Sequence, residues 1–330
     1  MPRSAILNGI TKDMRGIEIA PWFAPLAPKR DGFNCLVVDV FSKGELLKRA
    51  SEDHTIPDKG VSLIEHVDIV GSATEISSLV PVFEHGTFDY ILSSHNFEHL
   101  PNPIKFLQGC QRLLKPGGIL SMAVPDKRAC FDLFRPHTTV IDWLVAYRAD
   151  RSRPSPEQIF QHSAYCSTLK HSTNNVGAFS IYTPLSGITV DGDLGASYRK
   201  WQASGETSTY EDAHCSVMTP ASFELLILEC RHLGLLSLEI ESVSEPEGCE
   251  FFVRLVNSRV ACAVPDISAA RTTLMRKTLE EGQIQRTRKM LLRNKKWTMR
   301  KRFSLNYIRA ILEEIVESIN GVLPGLQKAS

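Results

Sequence analysis

Short apolar runs alternate with helical patterns through the first half of the chain, and this alternation restricts the fold more than any other sequence feature. Residues 16–20 and 35–40 have the pattern of buried strands, each followed by polar or turn residues. Residues 67–70 form a weaker third run, and residues 88–93 and 119–124 complete the series. Strands that alternate with helices form βαβ units, so the pattern predicts a parallel sheet.

Helix signals separate the later strands. Apolar residues recur at helical spacing over residues 103–114, and the sequence KPGG at 115–118 is expected to end that helix before the next strand. A second helix is predicted over residues 219–234, because it opens with a threonine N-cap and a proline and closes at a glycine. Residues 235–243 and 251–256 then predict an antiparallel hairpin that closes the sheet.

The predicted fold is α/β, with a doubly wound, Rossmann-like, mostly parallel seven-stranded sheet and an antiparallel hairpin near its end. Residues 131–214 interrupt the alternation, because they are rich in Ser, Thr, Asn, His and Tyr, and they predict an insertion after the fifth strand. We therefore expect a core at 1–130, an insertion at 131–214 that contacts the bound substrate, completion of the sheet at 215–264 and a basic helical tail at 265–330.

The tail differs from the rest of the chain in charge, since residues 265–330 hold 14 Lys/Arg and 6 Asp/Glu. An apolar face at spacings of three and four follows the basic segment, over residues 308–323. This pattern favours helices that pack on the domain or on a second subunit as a homo-oligomer. Peripheral contact with an anionic membrane is the alternative. Nucleic-acid binding ranks third, because no recognised module and few aromatic residues accompany the charge.

The sequence also indicates a compartment. It has no run of the roughly 18 to 20 apolar residues that a bilayer span requires, and the first residues lack the apolar core of a signal peptide. The eight cysteines form no CxxC pair, which favours reduced thiols. We expect a cytoplasmic protein, with peripheral attachment at the inner face of the membrane as an extension of the tail hypothesis.

Candidate binding residues follow the predicted strands, because ligands of doubly wound sheets bind at the carboxyl ends of the strands. Glu18, Ala20 and Pro21 lie at the end of the first strand. Asp39 ends the second strand about 20 residues further on, where such folds place an acid on a ribose diol. A turn residue at the strand end is the alternative interpretation of Asp39, and the surrounding pattern favours the ribose.

Two stretches resemble the class I S-adenosylmethionine-dependent methyltransferases. Residues 16–40 (GIEIAPWFAPLAPKRDGFNCLVVDV) resemble the first nucleotide-binding loop and second strand of that family, and residues 88–128 resemble its fourth-to-fifth-strand core. The runs VPDKRACFDLFRP at 124–136 and AHCSVMTPASFELL at 213–226 are similar to a bacterial subgroup associated with glycosyltransferases in polysaccharide and surface-glycan biosynthesis. The resemblance covers roughly residues 15–257.

The resemblance implies S-adenosylmethionine as the cofactor. The residues it assigns to the cofactor are Glu18, Ala20, Pro21, Asp39, Gly71, Ser72, Ser94 and His95. Two positions depart from the family, since Ala20 replaces the usual glycine and Gly71–Ser72 stands where an acid commonly meets the adenine. A positive φ at Ala20 would cost about 1 kcal/mol. A catalytically weak binding or scaffold protein with a basic assembly tail is therefore the alternative function.

The implied reaction is O-methylation of a sugar in a glycan or in its activated precursor. A sulfonium methyl donor chiefly requires alignment, whereas a sugar hydroxyl benefits from a general base such as histidine. The candidate bases are His95, His99, His137, His162, His171 and His214, with His95 preferred as the catalytic residue. Each is alternatively a structural histidine. The residues expected to bind the acceptor, including any phosphate or carboxylate on it, are Asp126, Arg128, Arg135, His162 and His214.

Residues 95–99 also match the H-x-x-E-H pattern of a zinc metalloprotease. That site requires a continuous helix, so that both histidines face one ion. Here the pattern directly follows a strand and precedes Pro101 and Pro103, which disfavour helix in the residues before them. We therefore expect no metal from this motif and no hydrolase.

Overall fold

The computed structural model describes five stretches of the chain, at residues 3–53, 56–170, 175–204, 211–258 and 266–283. The chain divides into two compact units, residues 1–283 and residues 284–330. The second unit holds most of the predicted tail, including the apolar face over 308–323, and lies outside the described residues. His171, one of the candidate bases, also lies outside them.

Ten strands are present in the described part of the chain. Seven form the main sheet and three form a small sheet in the insertion. In chain order they are β1 Arg15–Ile19, β2 Asn34–Asp39, β3 Ile69–Val70, β4 Phe88–Ser94, β5 Leu114–Pro125, β6 Ser167–Lys170, β7 Asn175–Val176, β8 Ile188–Val190, β9 Leu238–Val243 and β10 Glu250–Asn257.

The main sheet has the strand order β3-β2-β1-β4-β5-β10-β9. The strands from β3 to β5 are parallel to their neighbours, and β10 is antiparallel to both β5 and β9. This topology confirms the predicted α/β, doubly wound, mostly parallel seven-stranded sheet with its antiparallel hairpin. The strand order reverses between β1 and β4, so a crevice is expected outside the carboxyl ends of those two strands.

The helices of the described residues are α1 Arg3–Ile6, α2 Lys43–Glu52, α3 Asp58–Val61, α4 Ile76–Leu79, α5 Pro103–Leu113, α6 Val140–Arg148, α7 Pro156–Ala164, α8 Leu194–Ala203, α9 Pro220–His232 and α10 Ile267–Gln283. Local sequence explains where several begin. The side chain of Asn102 accepts a hydrogen bond from the backbone N–H of Lys105 at the start of α5. Thr219 and Ser222 form a capping box on α9, with Pro220 at its first turn.

The junction between α5 and β5 differs from its prediction. The strand begins at Leu114, directly after the helix, and includes the KPGG sequence that was expected to precede it. Leu114 pairs with Phe88 and Ile119 pairs with Tyr90, so the register shifts across the glycines. The irregularity therefore lies within the paired part of β5, because β4 pairs with Leu114 on one side of it and with Ile119 on the other.

Phe97 anchors the turn that follows β4. It is fully buried, and the centroid of its ring lies 5.7 Å from that of Trp143 and 5.9 Å from that of Phe223. Trp143 in α6 also donates its indole N–H to Ser216 Oγ over 3.0 Å. Aromatic packing of this kind adds to the burial of large apolar side chains. The turn after β4, the insertion and α9 therefore share one core.

The insertion forms a substructure of its own within the first unit. It contains α6, α7 and α8 and the small sheet, whose order is β7-β6-β8. The backbone N–H of Ser167 donates to the carbonyl of Phe131, which ties the small sheet to the chain leaving β5. An insertion after the fifth strand was predicted, and the proposed division into four segments stays a prediction.

The described part of the tail packs on the domain itself. Arg271 Nε lies 2.7 Å from Glu229 Oε1, and Lys277 Nζ lies 3.0 Å from Glu224 Oε1, which joins α10 to α9. The Glu281 carboxylate accepts a hydrogen bond from the Ala221 N–H at 3.2 Å. The oligomer and membrane hypotheses concern the whole tail at 265–330, most of which follows α10, and they stay predictions. Among the described residues, no helix combines the length and the hydrophobicity needed to span a membrane.

The close packing of β1 against β4 predicts a sharp effect of one methyl group. A Cβ atom at Gly16 would lie 2.0 Å from the ring of Tyr90, whereas a Cβ atom at Gly44 has Ser42 Oγ as its nearest contact at 4.0 Å. Gly16→Ala should lower the free energy of unfolding by roughly 1–3 kcal/mol, as overpacking does. Gly44→Ala, the matched control, should leave it unchanged or raise it. Urea denaturation of both variants measures the difference, and equal stabilities would contradict this packing.

Candidate functional site

A cavity of about 820 Å³ lies at the carboxyl ends of β1, β2 and β4. Its position is the crevice expected from the reversal of strand order. Five of the predicted cofactor residues line it, namely Ala20, Asp39, Gly71, Ser72 and His95. The other three, Glu18, Pro21 and Ser94, are not among its lining residues. Sequence analysis did not select Trp22 and Arg49, which line it as well.

Glu18 holds the loop that follows β1 through two hydrogen bonds. Its side chain is 2% exposed, and its two carboxylate oxygens accept hydrogen bonds from the backbone N–H groups of Leu26, at 2.6 Å, and Ala27, at 3.0 Å. The loop after β1 is thereby folded back on the strand end. The structure thus gives Glu18 a loop-holding role in place of the predicted direct contact, because its carboxylate is buried under the loop.

Three residues that line the cavity have left-handed backbone conformations without being glycine. The φ angles are +46° at Ala20, +50° at Trp22 and +49° at His95. The Ala20 N–H still donates to the Val38 carbonyl over 2.8 Å, which holds the loop to β2. The structure meets the condition for strain at Ala20, which costs about 1–2 kcal/mol. Strained backbone of this kind clusters at functional sites.

Asp39 ends β2 at the cavity wall. Its Oδ1 accepts a hydrogen bond from the backbone N–H of Phe41 over 2.9 Å, and the residue is mostly buried. Burial raises the pKa of Asp39, against the opposing effects of the backbone hydrogen bonds to Phe41 and Val40 and of the Arg49 charge. The carboxylate is fixed where the fold class binds a ribose diol, which is consistent with the sequence hypothesis.

Gly71 and Ser72 bring backbone close to the cavity after β3. The Gly71 N–H donates to the carbonyl of Asp39 over 2.8 Å, and a Cβ atom at Gly71 would lie 2.6 Å from Leu79. The Ser72 hydroxyl accepts a hydrogen bond from the Thr74 N–H over 3.3 Å and so caps the following turn. A side chain at position 71 would therefore force Leu79 to shift, while the serine hydroxyl is partly used within the protein.

His95 is held between two carboxylates. Its Nε2 lies 2.6 Å from Glu250 Oε2, and its Nδ1 lies 3.6 Å from Glu98 Oε1. Burial lowers the pKa of His95, but the hydrogen bond to Glu250 and the neighbouring Glu98 outweigh burial and raise it to about 10. His95 is thus a cation at neutral pH. This environment argues against His95 as the general base, because an imidazolium has no lone pair to accept a proton, and the catalytic role of His95 stays a prediction.

Sequence analysis missed Glu250 altogether. It is 155 residues from His95 in the chain and opens β10. Because β10 runs antiparallel to β5, its first residue pairs with Pro125 at the carboxyl end of β5. The available signal was an acidic residue directly before an apolar run. A charged residue at the start of a buried strand is therefore a site candidate when that strand runs antiparallel to the others.

The other described histidines have distinct environments. His99 lines the cavity and bonds Asp212 Oδ1 through Nδ1 at 2.8 Å, whereas His214 is buried and bonds Asp132 Oδ2 through Nδ1 at 2.5 Å. Burial lowers the pKa of His99, but Asp212 and Glu98 give a net increase. His162 Nδ1 accepts a hydrogen bond from the His214 backbone N–H.

Two histidines are held neutral. Burial lowers the pKa of His162 to about 4, and the charges of His214 and Arg135 add to the effect. Burial also lowers the pKa of His137 to about 4, with Lys127 and Arg128 contributing. Neither ring lines the cavity. His162 was predicted to bind the acceptor, and the structure instead places it against the buried His214.

The predicted acceptor residues after β5 are internal. Arg128 Nη2 pairs with Asp126 Oδ2 at 2.5 Å, and Arg128 Nη1 donates to the carbonyl of Glu281 in α10. Arg135 Nη1 pairs with Asp132 Oδ1 at 2.6 Å, and Arg135 Nη2 donates to the carbonyl of His214. None of Asp126, Arg128, Arg135 or His214 lines the cavity. These buried side chains bond protein groups away from the cavity, and their role in acceptor binding stays a prediction.

The insertion supplies other groups to the cavity. Ser152, Glu211 and Asp212 line it together with His95 and His99. The cavity thus has one end between the loops after β1 and β2, near Asp39, and another built from the turn after β4 and the insertion. That the insertion contacts the acceptor stays a prediction, and the charged groups it contributes to the cavity are carboxylates instead of arginines.

The H-x-x-E-H pattern does not form the helical zinc site. Phe97–His99 is a single 3₁₀ turn, and α5 begins at Pro103. His95 bonds Glu250 whereas His99 bonds Asp212, so the two rings are oriented by different partners. The structural ground for setting aside a helical metalloprotease motif is confirmed.

Comparison with known proteins finds one matching family model, over part of the chain. Residues 22–122 match a family model described as a methyltransferase domain. The matched segment includes Asp39, Gly71, Ser72 and His95, which line the cavity. The match supports methyl transfer as the reaction and S-adenosylmethionine as the cofactor. No curated protein matches the sequence.

Solved structures with similarity to this chain are distant. A protein from Pyrococcus horikoshii is 15% identical, with 76% of this chain and 85% of that chain covered and a TM-score of 0.36. An S-adenosylmethionine dependent methyltransferase from Mesorhizobium loti is 11% identical, covers 76% and 95%, and has a TM-score of 0.38. A SAM-dependent methyltransferase from Methanosarcina mazei is 16% identical, covers 76% and 95%, and has a TM-score of 0.36. These scores are low, and the fold assignment rests on the strand order.

The placement of Asp39 predicts a loss of cofactor affinity on substitution. Asp39→Ala should weaken binding of S-adenosylmethionine by about 1.5–3 kcal/mol, because a hydrogen bond to a charged group is removed. Asp39→Asn keeps an oxygen acceptor and should lose less. Calorimetric titration with S-adenosylmethionine and S-adenosylhomocysteine measures both, with thermal unfolding as a control of the fold. Equal affinity in the folded alanine variant would contradict the placement.

The environment of His95 predicts an unusual titration. In protein treated with a chelator to remove any bound metal ion, the His95 ring should stay protonated up to about pH 8.5. Its raised pKa in the folded state favours the cation. Its contribution to stability is complete below the unfolded pKa of about 6.5 and is lost as pH rises through about 10.

Glu250→Gln removes the carboxylate partner and should bring the His95 titration down toward neutral pH, as followed by NMR of the ring protons. Glu247→Gln makes the same chemical change at an exposed position just before β10 and should leave the titration unchanged. A His95 that titrates near pH 6.5 in the unmodified protein would overturn this account.

Proposed function

We propose that the protein transfers a methyl group from S-adenosylmethionine to a hydroxyl group of a sugar, in a glycan or its activated precursor. The observation that carries the proposal is the cavity at the switch point, which lies largely within the matched methyltransferase domain and has Asp39 at one end. Its volume of about 820 Å³ suits a ligand of the size of the cofactor together with part of an acceptor. The proposal includes a role in polysaccharide biosynthesis in the cytoplasm.

Methyl transfer depends mainly on alignment of the two reactants. The sulfonium donor leaves as a neutral thioether after it loses the methyl group, so no acid is required. Positioning supplies most of the rate enhancement. The acceptor hydroxyl must lose a proton. Because His95 is cationic, we assign the carboxylates of Glu211 and Asp212, which line this end of the cavity, to accept a hydrogen bond from the hydroxyl.

The chemistry of the acceptor end favours neutral hydroxyl groups. Carboxylates accept hydrogen bonds from hydroxyls but repel phosphate, so we place any phosphate of an activated precursor away from Glu211 and Asp212. Helix α8 adds aromatic surface, because Tyr198 and Trp201 stack with ring centroids 6.1 Å apart and are both exposed. Lys200 of the same helix pairs with Glu211, which links α8 to the cavity lining. Stacked aromatic faces of this kind suit the apolar face of a sugar ring.

A methyltransferase-fold binding protein with little activity is the second candidate. The positive φ of Ala20 favours it, because the strained backbone and the added methyl group stand where the resembled family has glycine. The two functions make different predictions for turnover. Both bind the cofactor, but only the enzyme converts S-adenosylmethionine to S-adenosylhomocysteine in the presence of an acceptor.

The test uses S-adenosylmethionine with a labelled methyl group and a panel of neutral oligosaccharides, sugar nucleotides and lipid-linked sugars. We expect label in the sugar and stoichiometric S-adenosylhomocysteine. Glu211→Gln should lower kcat/KM for the acceptor by roughly ten-fold or more while cofactor affinity is kept. Glu280→Gln, an exposed position in α10, is the matched control and should change neither. Cofactor binding without transfer to any acceptor would favour the scaffold alternative.

A further inference from the structure

Glu98 is a buried carboxylate whose bonding is incomplete. Its side chain is 1% exposed, and its Oε2 has no hydrogen-bond partner among the described residues. Burial alone would raise its pKa, but the neighbouring His95, His214 and His99 lower the pKa. A buried ionised carboxylate normally has several hydrogen bonds or a metal ion to compensate its charge. Within the described part of the chain, Glu98 Oε2 therefore lacks the partner that a buried carboxylate oxygen normally has.

Two histidine nitrogens face Glu98 at a distance longer than a hydrogen bond. His99 Nε2 lies 3.7 Å from Glu98 Oε1, and His214 Nε2 lies 4.0 Å from the same oxygen. One ligand atom from each of the three side chains lies within 4.8 Å of the other two. Hydrogen bonds between nitrogen and oxygen span about 2.7–3.2 Å, whereas tetrahedral ligands of one zinc ion are separated by about 3.4 Å. The spacing is thus closer to that of ligands sharing an ion.

The opposite nitrogen of each ring is bonded to a second carboxylate. His99 Nδ1 bonds Asp212 Oδ1 at 2.8 Å, and His214 Nδ1 bonds Asp132 Oδ2 at 2.5 Å. Metal-binding histidines characteristically donate their other N–H to a carboxylate, which fixes the tautomer and orients the ring. Both rings therefore direct an Nε2 lone pair toward the space beside Glu98 whenever they are neutral.

We propose that Glu98, His99 and His214 form a binding site for a divalent transition-metal ion of the Zn²⁺ type, in the wall of the cavity beside its acceptor end. The site goes beyond methyl transfer and does not rest on the acceptor assigned above. Two imidazole nitrogens and one carboxylate oxygen are a donor set that Zn²⁺ and related ions accept, with a fourth position open. His99 is the ligand that also lines the cavity.

This site differs from the helical zinc site that the H-x-x-E-H pattern at residues 95–99 would form. That motif needs both of its histidines on one helix, whereas here the second imidazole is His214, which the chain brings back after the insertion. The backbone carbonyl of Glu98 accepts hydrogen bonds from the N–H groups of Cys215, at 2.6 Å, and Ser216, at 3.0 Å. The segment that carries His214 is thereby fixed against the turn that carries Glu98 and His99.

An ion-pair cluster without metal is the competing account. Protonated His99 and His214 would then compensate the Glu98 charge at 3.7 and 4.0 Å. That account leaves the carboxylate without a contact of hydrogen-bond length to either ring, whereas an ion between the three side chains gives it a ligand bond. The two accounts separate on metal binding, because the protonated cluster must release protons to bind Zn²⁺.

The experiment titrates the full-length, chelator-treated protein with Zn²⁺ in competition with a chromophoric chelator. We expect one Zn²⁺ per chain, a higher Tm with Zn²⁺ than with Mg²⁺, and a Co²⁺ absorption spectrum typical of nitrogen and oxygen ligands in tetrahedral geometry. The absence of thiolate-to-cobalt bands distinguishes the site from adventitious binding by cysteines.

The variants are chosen to keep the protein folded. His99→Gln is the main variant, because His99 is 26% exposed and its replacement leaves no large buried cavity. It should weaken Zn²⁺ binding at least 100-fold, and Asp212→Asn should weaken it about 10- to 100-fold by releasing the orientation of His99. Glu98→Gln is added where circular dichroism shows a native fold. His66→Gln, at an exposed position, is the matched control and should bind Zn²⁺ as the unmodified protein does.

A folded protein that takes up no Zn²⁺ at tens of micromolar would overturn the proposal. Equal affinity in His99→Gln and His66→Gln would also overturn it, as would a Co²⁺ spectrum dominated by thiolate bands. Calorimetry with S-adenosylmethionine on the same samples keeps this outcome separate from the proposed methyl transfer, since cofactor binding through Asp39 does not require the metal ligands.

Discussion

The architecture around the cavity depends on the contacts of one buried carboxylate residue, Glu98. Its carboxylate faces three histidines, while its backbone carbonyl accepts two hydrogen bonds from Cys215 and Ser216. Next to it, Phe97 packs into the aromatic core. One turn after β4 therefore fixes both ends of the insertion: α6 through Trp143, and the returning segment through Glu98. The end of the cavity that the insertion forms with this turn depends on these contacts on both sides of the turn.

Local sequence signals sufficed for the sheet and for the helices that pack on it. The apolar runs located β1, β2 and β4, and the cap and proline at Thr219 and Pro220 located α9, because these features act over a few residues. The Asp39 position followed from strand spacing. The pairing of Glu250 with His95 could not be found this way, since it depends on which strand lies beside β5 and on its direction. No local pattern records a contact over 155 residues.

The charged residues after β5 show a second limit of sequence reasoning. Asp126, Arg128 and Arg135 resemble a solvated loop or a phosphate site, because charged side chains are seldom fully buried. Here each arginine has its own carboxylate and a backbone carbonyl, so its desolvation is offset by charge-assisted hydrogen bonds. The carbonyls belong to Glu281 and His214, which are distant in sequence. Burial of a charge therefore depends on tertiary partners, which composition cannot reveal.

These buried pairs also explain why the change in charge near residue 265 does not mark the end of the folded domain. Arg128, just after β5, donates to the carbonyl of Glu281, and the Glu281 carboxylate accepts a hydrogen bond from the Ala221 N–H at the start of α9. Helix α10 thus completes the bonding of a buried arginine and of a helix terminus. Without α10, Arg128 would lose one partner, and a buried donor left unpaired costs about 1–3 kcal/mol. The basic composition therefore begins inside the domain. The cations of α10 pair with the acids of α9, and Glu281 near the end of α10 bonds Arg128 and the start of α9.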